Sequence, residues 1–168
     1  MKNFVNIKKA PLEIATILAG NTKIKQLLYS DDEDPLNADV SQVTLNQMLE
    51  EHYISMVPPT ENRIQEYGRN SFLSIIVDTI SPNAADNNIR ANIIIYVSTN
   101  ADHLMIKDNG NRLLELADQI YLLLQNKKLT ASGEININSF SHVMLSEFHS
   151  SYRISLSIAD QSTGKADI

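Results

Sequence analysis

The residues of this 168-residue chain with the strongest claim to chemistry are the acidic run Asp31, Asp32, Glu33 and Asp34, with Asp39 just beyond. Hard cations take several carboxylate oxygens. A calcium loop, however, spaces its ligands at alternate positions around an obligatory glycine, and this run has neither, so it reads as a solvated acidic loop. The histidines are His52, His103, His142 and His149, and no pair has HExxH or HxH spacing. They read as surface or half-buried residues. Serines are numerous, yet no GxSxG elbow presents one as a nucleophile. The five glycines are scattered, which rules out a phosphate-cradling loop of either common type. There is no cysteine, so disulfides, thiolate zinc sites and Cys nucleophiles are excluded. The expectation is a protein that is not an enzyme, with no catalytic, cofactor-binding or metal-binding residue to assign.

The elements are clearer than the chemistry. Residues 71–80 (SFLSIIVDTI) and 89–98 (IRANIIIYVS) alternate as strands, and 81–88 (SPNAADNN) suits a hairpin connection. In the first strand Leu73, Ile75 and Val77 share one face, and Phe72, Ile76 and Ile80 the other. In the second, Ile89, Ala91, Ile93, Ile95 and Val97 line one face. Residues 111–125 read as a long helix, 134–149 as one or two short strands (EININSF, HVMLSEF), and 152–159 as a final strand. Alternation of this kind predicts a mainly antiparallel sheet covered on one side and more polar on the other. The fold class is therefore α+β: a strand-strand-helix-strand core with the long helix packed on one face, preceded by short N-terminal helices.

Three short helices are expected before the core. Residues 11–19 start at Pro11 and stop at Gly20, 22–29 are capped by Thr22, and 41–52 follow the acidic loop. Residues 53–57 (YISMV) suit a short strand ending at Pro58-Pro59, and 60–70 read as an arm or extended edge segment. The chain divides into an N-terminal helical segment (1–60) packed on or extending the core, the α+β core (61–160), and a flexible tail (161–168). Residues 99–110 and 126–133 read as mobile connections.

The long helix carries a second signal. Leu113, Leu116, Ala117, Ile120, Leu123 and Leu124 make the core stripe. Leu114 and Tyr121 lie to one side of it, roughly 80 to 100° around at 100° per residue. Leu122 points nearly opposite. Either the helix is deeply buried, or these are ordinary surface leucines, or Leu114, Tyr121 and Leu122 meet a neighbouring subunit.

Composition bounds the partners. Apolar residues make up 43% and charged residues 20%, enough for one domain with a real core. The net charge of −6 argues against tight, sequence-independent nucleic-acid binding, which needs phosphate-neutralising cations. Aromatics, at 6%, are not interleaved with basic residues as a single-strand binder requires. Lys8-Lys9 and Lys127-Lys128 read as solvated pairs. No apolar run approaches the ~20 residues of a membrane helix. The N-terminus shows no signal-peptide pattern, so a soluble protein made in the cytoplasm is expected.

From LLYSDDEDPLNAD and the VPP segment, through SFLSIIVDTI, NIRANIIIYVS and the helix GNRLLELADQIYLLLQNKKL, to SYRISLSIADQ, residues 12–160 resemble the tail-terminator (tail-completion) and related neck proteins of tailed bacteriophages. The resemblance implies a homo-oligomeric ring, usually a hexamer, that sits on the last ring of the tail tube, stops its growth and meets the head connector. It implies a location in the virion neck, no membrane contact, and DNA passing through the bore without specific binding. An acidic chain fits such a conduit, since phosphates are repelled rather than held. The resemblance also makes the loops at 81–88, 99–110 and 126–133 candidates for contact with neighbouring rings, through His103, Met105, Ile106, Lys127 and Lys128. Residues 1–60 exceed what a minimal terminator needs, which suggests an added docking surface or a neighbouring neck role. The alternatives are an adaptor or tail-tube protein, or a small ligand-binding or enzymatic α+β domain.

Overall fold

The computed structural model describes residues 5–82, 89–130 and 133–160. Helices α1 (Val5–Ala19), α2 (Thr22–Tyr29) and α3 (Leu45–Glu50) precede the short strand β1 (Ile54–Ser55) and helix α4 (Glu61–Tyr67). Then come β2 (Ser71–Pro82), β3 (Ile89–Asn100), the two-residue strands β4 (Met105–Ile106) and β5 (Gly110–Asn111), helix α5 (Arg112–Leu124), β6 (Ile135–Met144) and β7 (His149–Asp160). The fold is α+β, with a five-stranded sheet in the order β1-β2-β3-β7-β6. All its pairings are antiparallel except β1 with β2, which is parallel and covers only Leu73 and Ser74. The sheet is therefore mixed, and β2 beyond Ser74 and the whole of β6 form its lateral margins.

One apolar cluster joins the helices to the sheet. Ile14 and Leu18 of α1, Leu27 and Leu28 of α2, and Leu116 and Ile120 of α5 lie in it with Leu73, Ile75, Ile93, Ile95, Ile154 and Leu156. The face of β3 expected to be covered, Ile89 to Val97 at alternate positions, is buried throughout. The opposite face carries Arg90 and Asn92, both exposed, and half-buried Arg153, Ser155 and Ser157. Its far end is covered, because Tyr67 of α4 packs edge-on to Phe72 with centroids 6.3 Å apart. The Ser74 hydroxyl also donates to the Val57 carbonyl there.

Several boundaries differ from expectation. Helix α1 begins at Val5, so Pro11 lies inside it and not at its first position. Proline cannot donate to the carbonyl four residues back. Here the buried periodicity Ile7, Ala10, Ile14, Leu18 outweighs that lost bond. Asn21, not Thr22, caps α2, its side chain accepting from the Ile24 amide at 2.9 Å. Helix α3 is confined to Leu45–Glu50 because Thr44 caps it, accepting from the Gln47 amide. Residues 60–70 are no extended arm: Thr60 caps α4, and Gly68, at φ 58°, ends it in the left-handed conformation.

In β2 the pairing shifts between Val77 and Thr79, which turns Ile80 to the face of Leu73, Ile75 and Val77, opposite Ala91. That corrects its expected place beside Phe72. Beyond Pro82 the hairpin connection lies at residues 83–88, outside the described residues, although Pro82 pairs with Ile89. Residues 134–149 hold one strand, not two, with an irregularity between Ile137 and Ser139. The tail, 161–168, lies outside the described residues.

The two connections expected to be mobile are tied down where described. Residues 105–111 form a small hairpin of β4 and β5, and Lys107 pairs with Asp34 at 2.9 Å while its amide donates to the Glu33 carbonyl. A Cβ at Gly110 would stand 2.7 Å from Ile106 Cγ1, so any other residue there forces the Ile106 side chain to shift. After α5 the chain returns at once: the Ile135 amide donates to Lys127, the Asn126 amide to Ile135, and Leu129 is buried. Residues 131–132 lie outside the described residues.

Candidate interaction surface

Helix α5 sets the surface. Asn111 caps it, accepting from the Leu114 amide at 3.1 Å. Leu113, Leu116, Ala117, Ile120 and Leu124 are buried, and Leu123 is half-buried, as the stripe requires. Leu114, Tyr121 and Leu122 are 52, 43 and 65% exposed. Large apolar side chains left exposed together mark contact sites more often than single scattered ones do.

The sheet margin extends this surface. Phe140 of β6 pairs with Ile154, so it points to the helix side, and its ring lies 6.1 Å from that of Tyr121. Leu114, Ala117, Asp118, Tyr121, Phe140 and Tyr152 line an open depression of about 440 Å³. Leu114 and Tyr121 thus come together, whereas Leu122 stands outside the depression. The carboxylate of Asp118, at its rim, has no ion-pair partner among the described residues.

The loop candidates do not gather at one place. His103, Met105 and Ile106 lie before α5, and Lys127 and Lys128 after it, so the 13-residue helix separates them by roughly 20 Å. Met105, Lys127 and Lys128 are exposed. Ile106 packs partly against the core. His103 Nδ1 lies 3.2 Å from the Asp31 carbonyl.

No local motif in the sequence marks Arg112 as a key residue. Its side chain is buried, with Nη1 donating to the carbonyls of Leu27 (2.9 Å) and Ser30, Nη2 to Asp32 (2.7 Å) and Nε to His103 (3.0 Å). Burial lowers its pKa, and the nearby Asp31 and Asp32 charges oppose that shift. The guanidinium therefore closes the carbonyl end of α2 and draws the acidic loop onto the start of α5. The acidic run is thereby held through its backbone, and its side chains at 31–33 are left exposed. Among the described residues no cluster of three His, Asp or Glu could hold a metal.

Two other places could suggest chemistry. A cavity of about 260 Å³ lies between α4 and the β6–β7 turn, with Phe148 at its mouth and His149 within. Ser146 Oγ stands 3.3 Å from His149 Nδ1, a serine–histidine contact. That hydroxyl oxygen already accepts from the Phe148 and His149 amides, and His149 Nε2 faces the Arg69 carbonyl at 3.3 Å. Both ring nitrogens are engaged, so the pair braces the turn. The second place is a network in which Tyr29 donates to Glu51 at 3.0 Å, Gln47 donates to both, and Arg69 lies 4.4 Å above the Tyr53 ring. Hydrogen bonds from Gln47 and Tyr29 hold the Glu51 carboxyl below its usual pKa. Burial, followed by the bond to Glu51, pushes the Tyr29 phenol up. The network clamps α2, α3 and the approach to β2, and of its residues Arg69 also lines the cavity beside α4.

Phe140 escaped notice in the sequence because the irregularity near Asn138 decides which way it points. No helix of the described residues is long and apolar enough to cross a membrane. No curated protein matches the chain. A family model named YomW matches residues 21–158, from the cap of α2 almost to the end of β7. The chain belongs to this phage-associated YomW family.

Proposed function

We propose that the protein is a structural virion component of a phage neck, forming a homo-oligomeric ring that terminates the tail tube and joins it to the head connector. The observation that carries the reading is the uncovered apolar depression between α5 and β6, with Leu114, Tyr121 and Phe140 exposed around it. Membership of a phage-associated family and the sequence resemblance to tail-terminator proteins support the choice of assembly. The role is mechanical rather than catalytic. The partners are further copies of the chain, the tail-tube protein and the head connector. A net charge of −6 suits a bore through which DNA moves without being held.

The test is light scattering and negative-stain microscopy of the purified full chain, alone and with tail tubes. Closed rings that cap tubes are expected. A monomer at every accessible concentration that ignores tubes would overturn the reading. Growth of unlimited tubes from the protein alone would make it a tube protein instead.

A further inference from the structure

The sheet has two open margins, and they differ. On the β6 margin the apolar surface of Leu114, Tyr121 and Phe140 is accompanied by Asp118. On the β2 margin Val77 and Ile80 face the helix side yet remain 36 and 39% exposed, because β1 stops at Ser55 and pairs only as far as Ser74. Ile80 pairs with Ala91, and Ala91 packs against Ile7 of α1. Lys8 and Lys9, next along α1, are exposed and have no ion-pair partner among the described residues. The β6 margin is thus apolar with an acid unpaired among the described residues, and the β2 margin is apolar with exposed Asp78 between its two side chains and the two bases of α1 beside it. The two margins lie three strand spacings apart, roughly 14 Å across the sheet.

We infer that the occupant of the α5–β6 depression is the β2 margin of a second copy of this chain, so that subunits join head to tail. A two-fold contact joins a patch to the same patch of one other copy and stops at a pair, so by itself it cannot build a ring. Matching unlike margins pairs Asp118 with Lys8 or Lys9 and buries Val77 and Ile80 against Tyr121 and Phe140. A contact between two different patches repeats from copy to copy and closes into a ring when the rotation permits. The inference rests on the ring reading and adds to it which surfaces meet.

The experiment mixes two variants, each spoiled on one margin. Tyr121→Glu damages the α5–β6 side and Ile80→Glu the β2 side. Each alone should be monomeric at concentrations where the natural chain assembles. An equimolar mixture should double in mass, because one intact pair of margins remains. Circular dichroism and melting curves check that both variants fold. A second pair avoids the apolar sites: Asp118→Lys, and Lys8→Glu with Lys9→Glu. Each alone should raise the concentration for half-assembly roughly tenfold, and mixing or combining them should restore it. Natural protein that assembles while the mixture stays monomeric, or either variant assembling unimpaired, would overturn this pairing of margins and leave a ring joined through other surfaces standing. A natural chain that never assembles would sink both.

Discussion

Arg112 Nη1 donates to the carbonyl of Leu27 at 2.9 Å, joining residues 85 positions apart at the junction of α2 and α5. The same guanidinium takes the carbonyls of Ser30, Asp32 and His103. A buried charge is tolerable only when its donors are met, and here backbone oxygens meet them without a carboxylate in direct contact.

Arg112→Met should therefore cost about 2–4 kcal/mol, since it strands the carbonyls and leaves the acidic loop unheld. Hydrogen exchange should rise at residues 30–34 and 101–106 more than in the sheet. Arg112→Lys should recover only part of the loss, because a compact ammonium cannot span four acceptors. Chemical denaturation measures both.

Leu122 is 65% exposed and outside the α5–β6 depression. Leu122→Glu should leave the melting temperature within the range of ordinary surface changes, about ±0.5 kcal/mol. If the outer face of α5 is covered in the assembly, the same change should shift gel-filtration mass toward the monomer. A folded variant that assembles normally would place Leu122 outside every contact.

Gly68 sits at φ 58°, and nothing lies within 4 Å of the place a Cβ would take, so Gly68→Ala probes backbone conformation alone. The expected loss is about 1 kcal/mol, from the left-handed conformation that ends α4. A neutral result in thermal melts would mean that α4 relaxes at its end.

The Tyr29–Glu51 pair predicts a pH window. The folded Glu51 has a depressed pKa, so the unfolded chain binds more protons and stability rises with pH through the carboxylate range. Its contribution is complete above the ordinary value of 4.5 and is lost as pH falls through the folded value. Tyr29 is raised, so its contribution is present below 10.0 and is lost as pH climbs through the folded value. Glu51→Gln should flatten the acid limb of a stability–pH profile, and Tyr29→Phe the alkaline limb.

Ile14 of α1 is fully buried in the cluster that also holds Leu116 and Ile95. Ile14→Ala should cost about 2–5 kcal/mol and lower a single cooperative transition. Two separate transitions would show that residues 1–60 fold apart from the core.

The amphipathic patterns carried the fold a long way. The alternation of Ile89 to Val97 and the stripe of Leu113, Leu116 and Ile120 report burial directly, because a strand or helix exposes fixed positions to whatever covers it. Leu114, Tyr121 and Leu122 could be read as surplus apolar surface on the same grounds. Helix α4 was legible in retrospect, with Thr60 and Gly68 at its ends, but its single buried residue, Ile64, gives no periodic signal. Other features depended on residues distant in the chain. The pairing shifts that turn Ile80 and Phe140 to the helix side exist only between strands, and Arg112 is buried because carbonyls from positions 27, 30, 32 and 103 converge on it. Local sequence thus determined which face of β3 and of α5 is apolar, since that follows from backbone periodicity. Tertiary structure alone decided which of those faces stay open at the sheet margins, because register and convergence are properties of pairs of segments and not of either one.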